Sequence, residues 1–314
     1  MASRYHRSPL DRPRHGVVTS ENEAGAIHRS ARAVPSGPHA RFPPEGMPSG
    51  RGGLRLAQLA TEQITIDQAA ALLTESDRWV GSVLARLESH LRPGPLRVLE
   101  IGAAQGRALI ALHRRGHEAY GVEPWDTAIE IGRQLAEREG AIIDLRKGAA
   151  ESLPFDTAAF DLVLAFCVME HVTDLERALG EIARVLVPGG IFWFYSTSAV
   201  CPRQSEIRGF PLFGWYPDSL KKRLMRWAVK SAPGLIGYTD TPALHWWTPH
   251  RAERLLTAAG FTGMVDRWDL CSPVDLEGRA GPMRRVLKTQ RWLRPLADVI
   301  IPDCAYAARR AGES

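Results

Sequence analysis

Two carboxylates and a pair of glycines are the residues of this chain best placed to do chemistry. In the stretch Arg97-Val98-Leu99-Glu100-Ile101-Gly102-Ala103-Ala104-Gln105-Gly106-Arg107, an apolar run turns at glycines directly into a segment of helical character. A strand, a tight turn and a helix start are implied. Such a turn points backbone N–H groups and the positive end of a helix dipole at an approaching ligand, and glycine permits positive φ and close contact. Nicotinamide-binding turns read G-x-G-x-x-G, with an acidic residue about 20 positions later for the ribose. Here the pattern is E-x-G-x-x-x-G, with Glu100 two residues before Gly102. A carboxylate aimed into the turn repels a pyrophosphate and suits a ligand that is cationic and carries hydroxyls. Glu123 lies 21 residues after Gly102, where a carboxylate can take both hydroxyls of a ribose. S-adenosylmethionine is cationic, free of phosphate and built on a ribose.

These residues need strands to place them, and the rest of the chain supplies the pattern. His117 to Glu123 reads as a second short strand, and Phe160 to Ala165 as a buried one after the loop Leu153-Pro154-Phe155. An amphipathic helix follows from about Asp174 to Leu186, then a turn at Pro188-Gly189-Gly190 and a strand from Ile191 to Tyr195. Strands alternate with helices throughout, which is the signature of an α/β sheet.

With those segments in place, the chain resembles the class I S-adenosylmethionine-dependent methyltransferases, in the small-molecule branch that includes the ubiquinone and menaquinone methyltransferases. The matching residues are VLEIGAAQG at 98–106, YGVEP at 120–124, AAESLPF at 149–155, FDLVLAFCVMEHV at 160–172 and EIARVLVPGG at 181–190, with a weaker match in HWWTPHRAERLLTAAGF at 245–261. The resemblance implies that Glu100, Gly102, Ala103 and Gly106 shape the methionine end of a donor site and that Glu123 holds the ribose. It places Trp125 near the adenine, has Ala150 offer a backbone N–H to the ring, and sets Phe166 and Cys167 along the methionine side. His171 would face the acceptor as a base. Two positions depart from the family pattern. Ala104 stands where a middle glycine is usual, so a positive φ there would strain its methyl, and Ala149 stands where an aspartate usually recognises the adenine amino group.

The fold expected is a doubly wound, mostly parallel seven-stranded sheet of the Rossmann-like kind, with a helical lid insertion. Its last two strands fall near Thr262 to Asp269 and around Asp303 to Ala308. Residues 1–53 hold eight arginines, no lysine and many Pro, Gly and Ser without apolar periodicity, so they read as a disordered tail; they lack the apolar core of a secretory signal. Residues 54–92 form an N-terminal helical segment, 93–200 the donor-binding core, 201–245 a lid that selects substrate, 246–278 the completion of the core, and 279–314 a basic C-terminal extension.

Composition narrows the function. No apolar run reaches the length of a membrane span. Cys167, Cys201, Cys271 and Cys304 are far apart, which indicates neither a zinc site nor an iron–sulfur cluster, so no metal is expected; reduced thiols in a cytoplasm are the default. The net charge of +5 invites nucleic acid, but residues 54–200 carry 14 basic and 20 acidic side chains, the wrong sign for a footprint around the cleft. Positive charge gathers outside that core. Leu220, Leu224 and Trp227 recur at helical spacing opposite Lys221, Lys222, Arg223, Arg226 and Lys230, and Val286, Leu287, Leu293, Leu296 and Trp292 sit among Arg284, Arg285, Lys288, Arg291 and Arg294. Either these apolar faces cover the active site as a lid, or they meet an anionic membrane surface at the inner face of the cell.

The activity expected is methyl transfer to a small-molecule or lipid-like acceptor, with oxygen favoured over nitrogen or carbon. Rival readings are a non-catalytic scaffold on the same fold, suggested by Ala104 and Ala149, and a nicotinamide oxidoreductase, disfavoured by Glu100 and the glycine spacing.

Overall fold

The computed structural model describes residues 64–204, 206–236 and 241–312. Alternation along the central strands builds its layers. In β1 (Arg97–Ile101), Leu99 and Ile101 face one side of the sheet and Val98 the other. The same two-sided burial runs through β4 (Phe160–Phe166) and β5 (Leu186–Thr197), so both faces of the sheet must be covered. With β2 (Glu118–Glu123), β3 (Ile143–Lys147), β6 (Phe261–Asp266) and β7 (Asp303–Arg310) they form one seven-stranded sheet in the order β3-β2-β1-β4-β5-β7-β6. The first five strands are parallel, and β7 runs antiparallel between β5 and β6. The expected seven-stranded, mostly parallel sheet is therefore the one formed.

On the Val98 side lie α2 (Leu73–Leu87), α3 (Arg107–His113) and α4 (Asp126–Arg138), with the short α1 (Ile66–Ala71) packed outside them. The Leu99 side carries α5 (Leu175–Val185) and, past α6 (Asp218–Ser231), α7 (Pro249–Ala258). The Asp174 side chain caps α5 by accepting from the Arg177 N–H, and Leu175, Ala178, Leu179, Ile182 and Val185 form its buried stripe. Chain order reverses between β1 and β4, and the crevice at the carboxyl ends of those strands is where an open α/β sheet takes a ligand.

Three expectations need correction. Pro188-Gly189-Gly190 is no turn: β5 continues through it, with Gly189 at φ +81° and a register shift opposite Phe160 and Leu162. The irregularity needs glycine, because a Cβ on Gly190 would lie 2.9 Å from the Val187 carbonyl oxygen. In α6 the buried face is Lys221, Met225 and Ala228, while Leu220 and Trp227 point to solvent. The lysine turns inward because its Nζ sits 4.4 Å above the Trp246 ring and 2.8 Å from Asp218. In the C-terminal helices α9 (Gly281–Thr289) and α10 (Arg294–Asp298), which follow the short α8 (Pro273–Glu277), Arg284 and Arg294 are buried rather than displayed. Arg294 bridges Asp266 and Asp269, and Arg284 donates to the Asp275 carbonyl.

The tail expected at 1–53, and residues 54–63 of the helical segment, lie outside the described residues. Among the described residues no helix is long and apolar enough to cross a membrane, and no His, Cys, Asp and Glu group is arranged to hold a metal.

Candidate active site

A cavity of about 370 Å³ opens at the switch point. Its floor is the turn after β1. The Gly102 and Ala103 N–H groups both donate to the Val122 carbonyl, at 2.9 and 3.0 Å, which draws the turn onto β2. Gly102 has φ +72°, and a Cβ there would stand 2.4 Å from Val168 Cγ2, so only glycine lets the loop after β4 close over it. Ala104 does adopt the positive φ that its methyl resists, +47°. Its N–H donates to Glu123 Oε2 at 2.9 Å, and Glu123 Oε1 accepts from the Trp125 N–H at 3.2 Å, so one carboxylate ties the turns after β1 and β2 together. Burial pushes the Glu123 carboxyl upward, and those two N–H groups oppose the shift.

Glu100 is 6 % exposed and its Oε2 has no hydrogen-bond partner. Burial pushes its carboxyl up to about 8, against the pull of Arg107 and with the repulsion of Glu123 added. Arg107, the first residue of α3, is 7 % exposed. The opposite wall comes from α2 and the end of β4, where Trp79 meets Phe166 edge to face at 5.0 Å and Phe166 stacks on Tyr195 at 4.9 Å. Next to Phe166, Cys167 takes φ +54° and donates its N–H to the Tyr195 carbonyl.

His171 lines the cavity from the loop after β4. Its Nδ1 lies 3.3 Å from the Pro242 carbonyl oxygen. A carbonyl only accepts, so Nδ1 is assigned as the donor of this contact, and Nε2 is the ring nitrogen left over. The segment from Pro242 to His245 grips this loop at further points: the Leu244 and His245 N–H groups donate to the Glu170 carbonyl at 2.6 and 3.2 Å, and His245 Nε2 donates to the Val172 carbonyl at 2.9 Å. His245 Nδ1 accepts from Arg251 at 3.2 Å. Burial, with the cations Arg251 and Lys222 added, drops the His245 pKa to about 4, so this brace stays neutral in mild acid. Beneath the loop, the fully buried Glu170 accepts from the Ser196 hydroxyl at 2.7 Å.

The structure brings Glu100, Gly102, Ala103, Glu123, Trp125, Ala150, Phe166, Cys167 and His171 to the one cavity. Trp125 stands at the rim, 61 % exposed. Gly106 does not join them. At φ +64°, the hydrogen in place of its Cβ faces Ile143 Cδ1 of the core, so its part is to start α3 and pack it on β3. Sequence reasoning missed Ser76, Trp79 and Arg107, which also line the cavity. The inward stripe of α2, through Leu73, Ser76, Trp79, Val80 and Val83, was the available signal for the first two. Of the described residues between 201 and 245, Thr241 reaches the cavity.

The pocket fits an adenosyl sulfonium donor better than a dinucleotide. Two buried carboxyl groups stand at the ends of neighbouring strands, one with an oxygen lacking any partner; they suit hydroxyls, and a bound cation favours their ionised form whereas a pyrophosphate opposes it.

Comparisons with known proteins agree with this architecture. A family model described as a methyltransferase domain matches residues 99–194. The ubiquinone biosynthesis O-methyltransferase of Rhodopseudomonas palustris (strain BisA53) is 35% identical over 186 residues, spanning 58% of this chain and 68% of that protein. The protein of the same name from Chelativorans sp. (strain BNC1) is 29% identical over 191 residues, again 58% of this chain and 68% of the relative. Among solved structures, the PH0226 protein from Pyrococcus horikoshii OT3 superposes with a TM-score of 0.50 at 17% identity, covering 82% of this chain and 97% of that one, a likeness of fold.

Proposed function

The chain belongs to the class I S-adenosylmethionine-dependent methyltransferases, and from that premise we propose that it methylates a hydroxyl on a small, largely apolar acceptor, with His171 as the proton acceptor. The observation that carries this reading is the convergence of Glu100, Glu123 and His171 on one cavity walled by Trp79, Phe166, Val168 and Val172. Its support from outside the site is the O-methyltransferase named among the relatives.

S-adenosylmethionine, when bound, supplies a methyl group already activated on a sulfonium. What remains for the protein is alignment and the exclusion of water, which in well-oriented systems is worth about 7 to 11 kcal/mol. Glu123 would hold the ribose hydroxyls, Glu100 the positively charged methionine end, and Trp125 and the Ala150 N–H the adenine. Trp79 and Phe166 keep the reacting region dry. A phenol has a pKa of about 10 and is protonated at neutral pH, so Nε2 of His171 would take the proton as the oxygen attacks.

A screen of phenols and lipid-like alcohols with a labelled donor tests the reading. His171→Ala should lower turnover about 100-fold or more on an accepted hydroxyl while leaving S-adenosylhomocysteine affinity within about two-fold, as expected for a group that meets only the acceptor. Unchanged turnover removes the base role, and saturable donor binding without turnover on any acceptor favours the scaffold instead.

We also infer that the acceptor is met at an anionic membrane surface. Leu220 and Trp227 of α6 are exposed beside Arg223, Arg226 and Lys230, and Trp292, Leu296 and Ile300 around α10 are exposed beside Arg291. α6 follows the carboxyl end of β5, and the chain after α10 enters β7 at that same end of the sheet, where the Pro302 carbonyl accepts from the Ser198 N–H. Exposed tryptophan and leucine ringed by arginine and lysine suit the headgroup boundary of a bilayer.

A further inference from the structure

Glu151 lines the cavity from the loop after β3, and its carboxylate reaches across to the loop after β4. Its Oε1 accepts from the Thr173 N–H at 2.9 Å and from the Asp174 N–H at 3.4 Å. Helix capping does not account for these bonds. The cap of α5 is the Asp174 side chain, which accepts from the Arg177 N–H, and Thr173 and Asp174 both precede the helix. The carboxylate therefore holds the loop. Glu123 does the same between the turns after β1 and β2, where it accepts from the Ala104 and Trp125 N–H groups. One device thus occurs twice around the cavity, a carboxylate whose oxygens take the backbone of a neighbouring loop.

The loop that carries Glu151 is pinned on both sides of it. The Gly148 N–H donates to the Glu123 carbonyl at 3.2 Å. Past the turn, α5 holds Leu153, whose N–H donates to Glu181 Oε2 at 2.9 Å and whose carbonyl accepts from Arg184 at 3.0 Å. Between these pins, Gly148 to Glu151 line the cavity where the adenine would lie. Thr173, which follows Val172 and His171 in the chain, lines the same cavity from the other side. A short path of bonds thus leads from Glu123 through Gly148 and Glu151 to the loop of His171.

We propose that Glu151 is a positioning residue that couples the two halves of the site, so that a donor covering Ala150 steadies Thr173 and with it the loop of His171. This rests on the donor reading given above for its ligand and on the base role of His171 for its effect on turnover. A ligand shifts a loop only by binding one of its states better. The donor does so here because it packs on the span from which Glu151 reaches out, and the coupling is reciprocal between the two loops.

Hydrogen exchange on the full chain, read over residues 169–176 with and without S-adenosylhomocysteine, tests the coupling. In the wild type the ligand should slow exchange there about five-fold or more. Glu151→Ala should still bind it, within about five-fold of the wild-type affinity, and lose that protection. Glu151→Gln keeps an acceptor oxygen and should retain part of it. On a hydroxyl accepted in the screen above, Glu151→Ala should lower kcat about ten-fold while moving the KM for the donor less. A wild type that binds S-adenosylhomocysteine without protecting 169–176 overturns the coupling while the donor reading stands, and this comparison needs no variant to fold. Protection that survives in Glu151→Ala overturns it as well, as does an unchanged kcat in that variant where His171→Ala is slow. If S-adenosylhomocysteine does not bind the wild type, the donor reading falls and the coupling with it.

Discussion

Ala104 and Glu100 show how much of this site is held by residues under stress. An alanine at φ +47° carries a Cβ where the backbone leaves little room for one, and the left-handed region costs a non-glycine residue about 1 kcal/mol or more. Ala104→Gly should therefore stabilise the protein by about 1 kcal/mol in urea unfolding while keeping the N–H that holds Glu123; a loss of stability would mean that the methyl contributes packing that outweighs the strain. Glu100 acts on stability through its proton. Its folded pKa, about 8, lies above the ordinary carboxyl value of 4.5, so the folded protein retains a proton that the unfolded chain gives up. The stability this contributes is complete below pH 4.5 and is lost as pH rises through 8, an effect on the order of a few kcal/mol. Thermal melts of the ligand-free protein should fall across that window, and Glu100→Gln should flatten the fall. Glu100 and Glu123 were legible in the chain because strand ends follow from apolar runs. Arg107 was not, because a basic residue at the start of a helix is ordinarily a solvated one, and its burial depends on α2 lying across it.

At the scale of elements, the brace between Pro242–His245 and the loop after β4 decides where His171 stands. His245 donates to Val172 and accepts from Arg251, so His245→Ala removes two bonds from the brace without touching the turn that faces the donor. If His171 is the proton acceptor proposed above, turnover should drop about ten-fold from its misplacement, with S-adenosylhomocysteine affinity nearly unchanged; a matching loss of both would show the segment to be a general support. The pH signature is also defined. With its pKa lowered to about 4 from 6.5, His245 contributes stability that is present above pH 6.5 and disappears as pH falls through 4, so wild type and variant should converge in acid melts. β1, β2, β4, the second half of β5 and α5 could be read from the sequence, since buried apolar runs and period-3.6 burial leave direct marks, whereas β3, with two exposed charges at its end, leaves little. Which face of α6 turns inward could not. Spacing alone put Leu220, Leu224 and Trp227 together, whereas the Trp246 ring and Asp218 give Lys221 an interior place that spacing does not reveal.

Across the whole molecule, charge is divided between the acidic stretch 54–200 and the basic, apolar-studded helices that follow it. Vesicles containing phosphatidylglycerol should co-sediment the protein at low salt and release it as salt rises, because screening weakens contacts with an anionic surface. Paired Trp227→Ser and Trp292→Ser changes should weaken binding without altering the melting temperature, both rings being exposed. Equal binding to neutral vesicles would remove the electrostatic part of this reading. By itself the chain determined the alternation of strands and helices, the glycine turn and the two carboxylates that follow it, because these depend on residues near one another in sequence. Only the tertiary structure decided that Gly106 serves the core, that Arg107 faces the ligand cavity, that Lys221 is buried and Leu220 bare, and that residues 242–245 hold the loop of His171. Each of these depends on which distant surface arrives opposite a side chain, and local patterning carries no information about that.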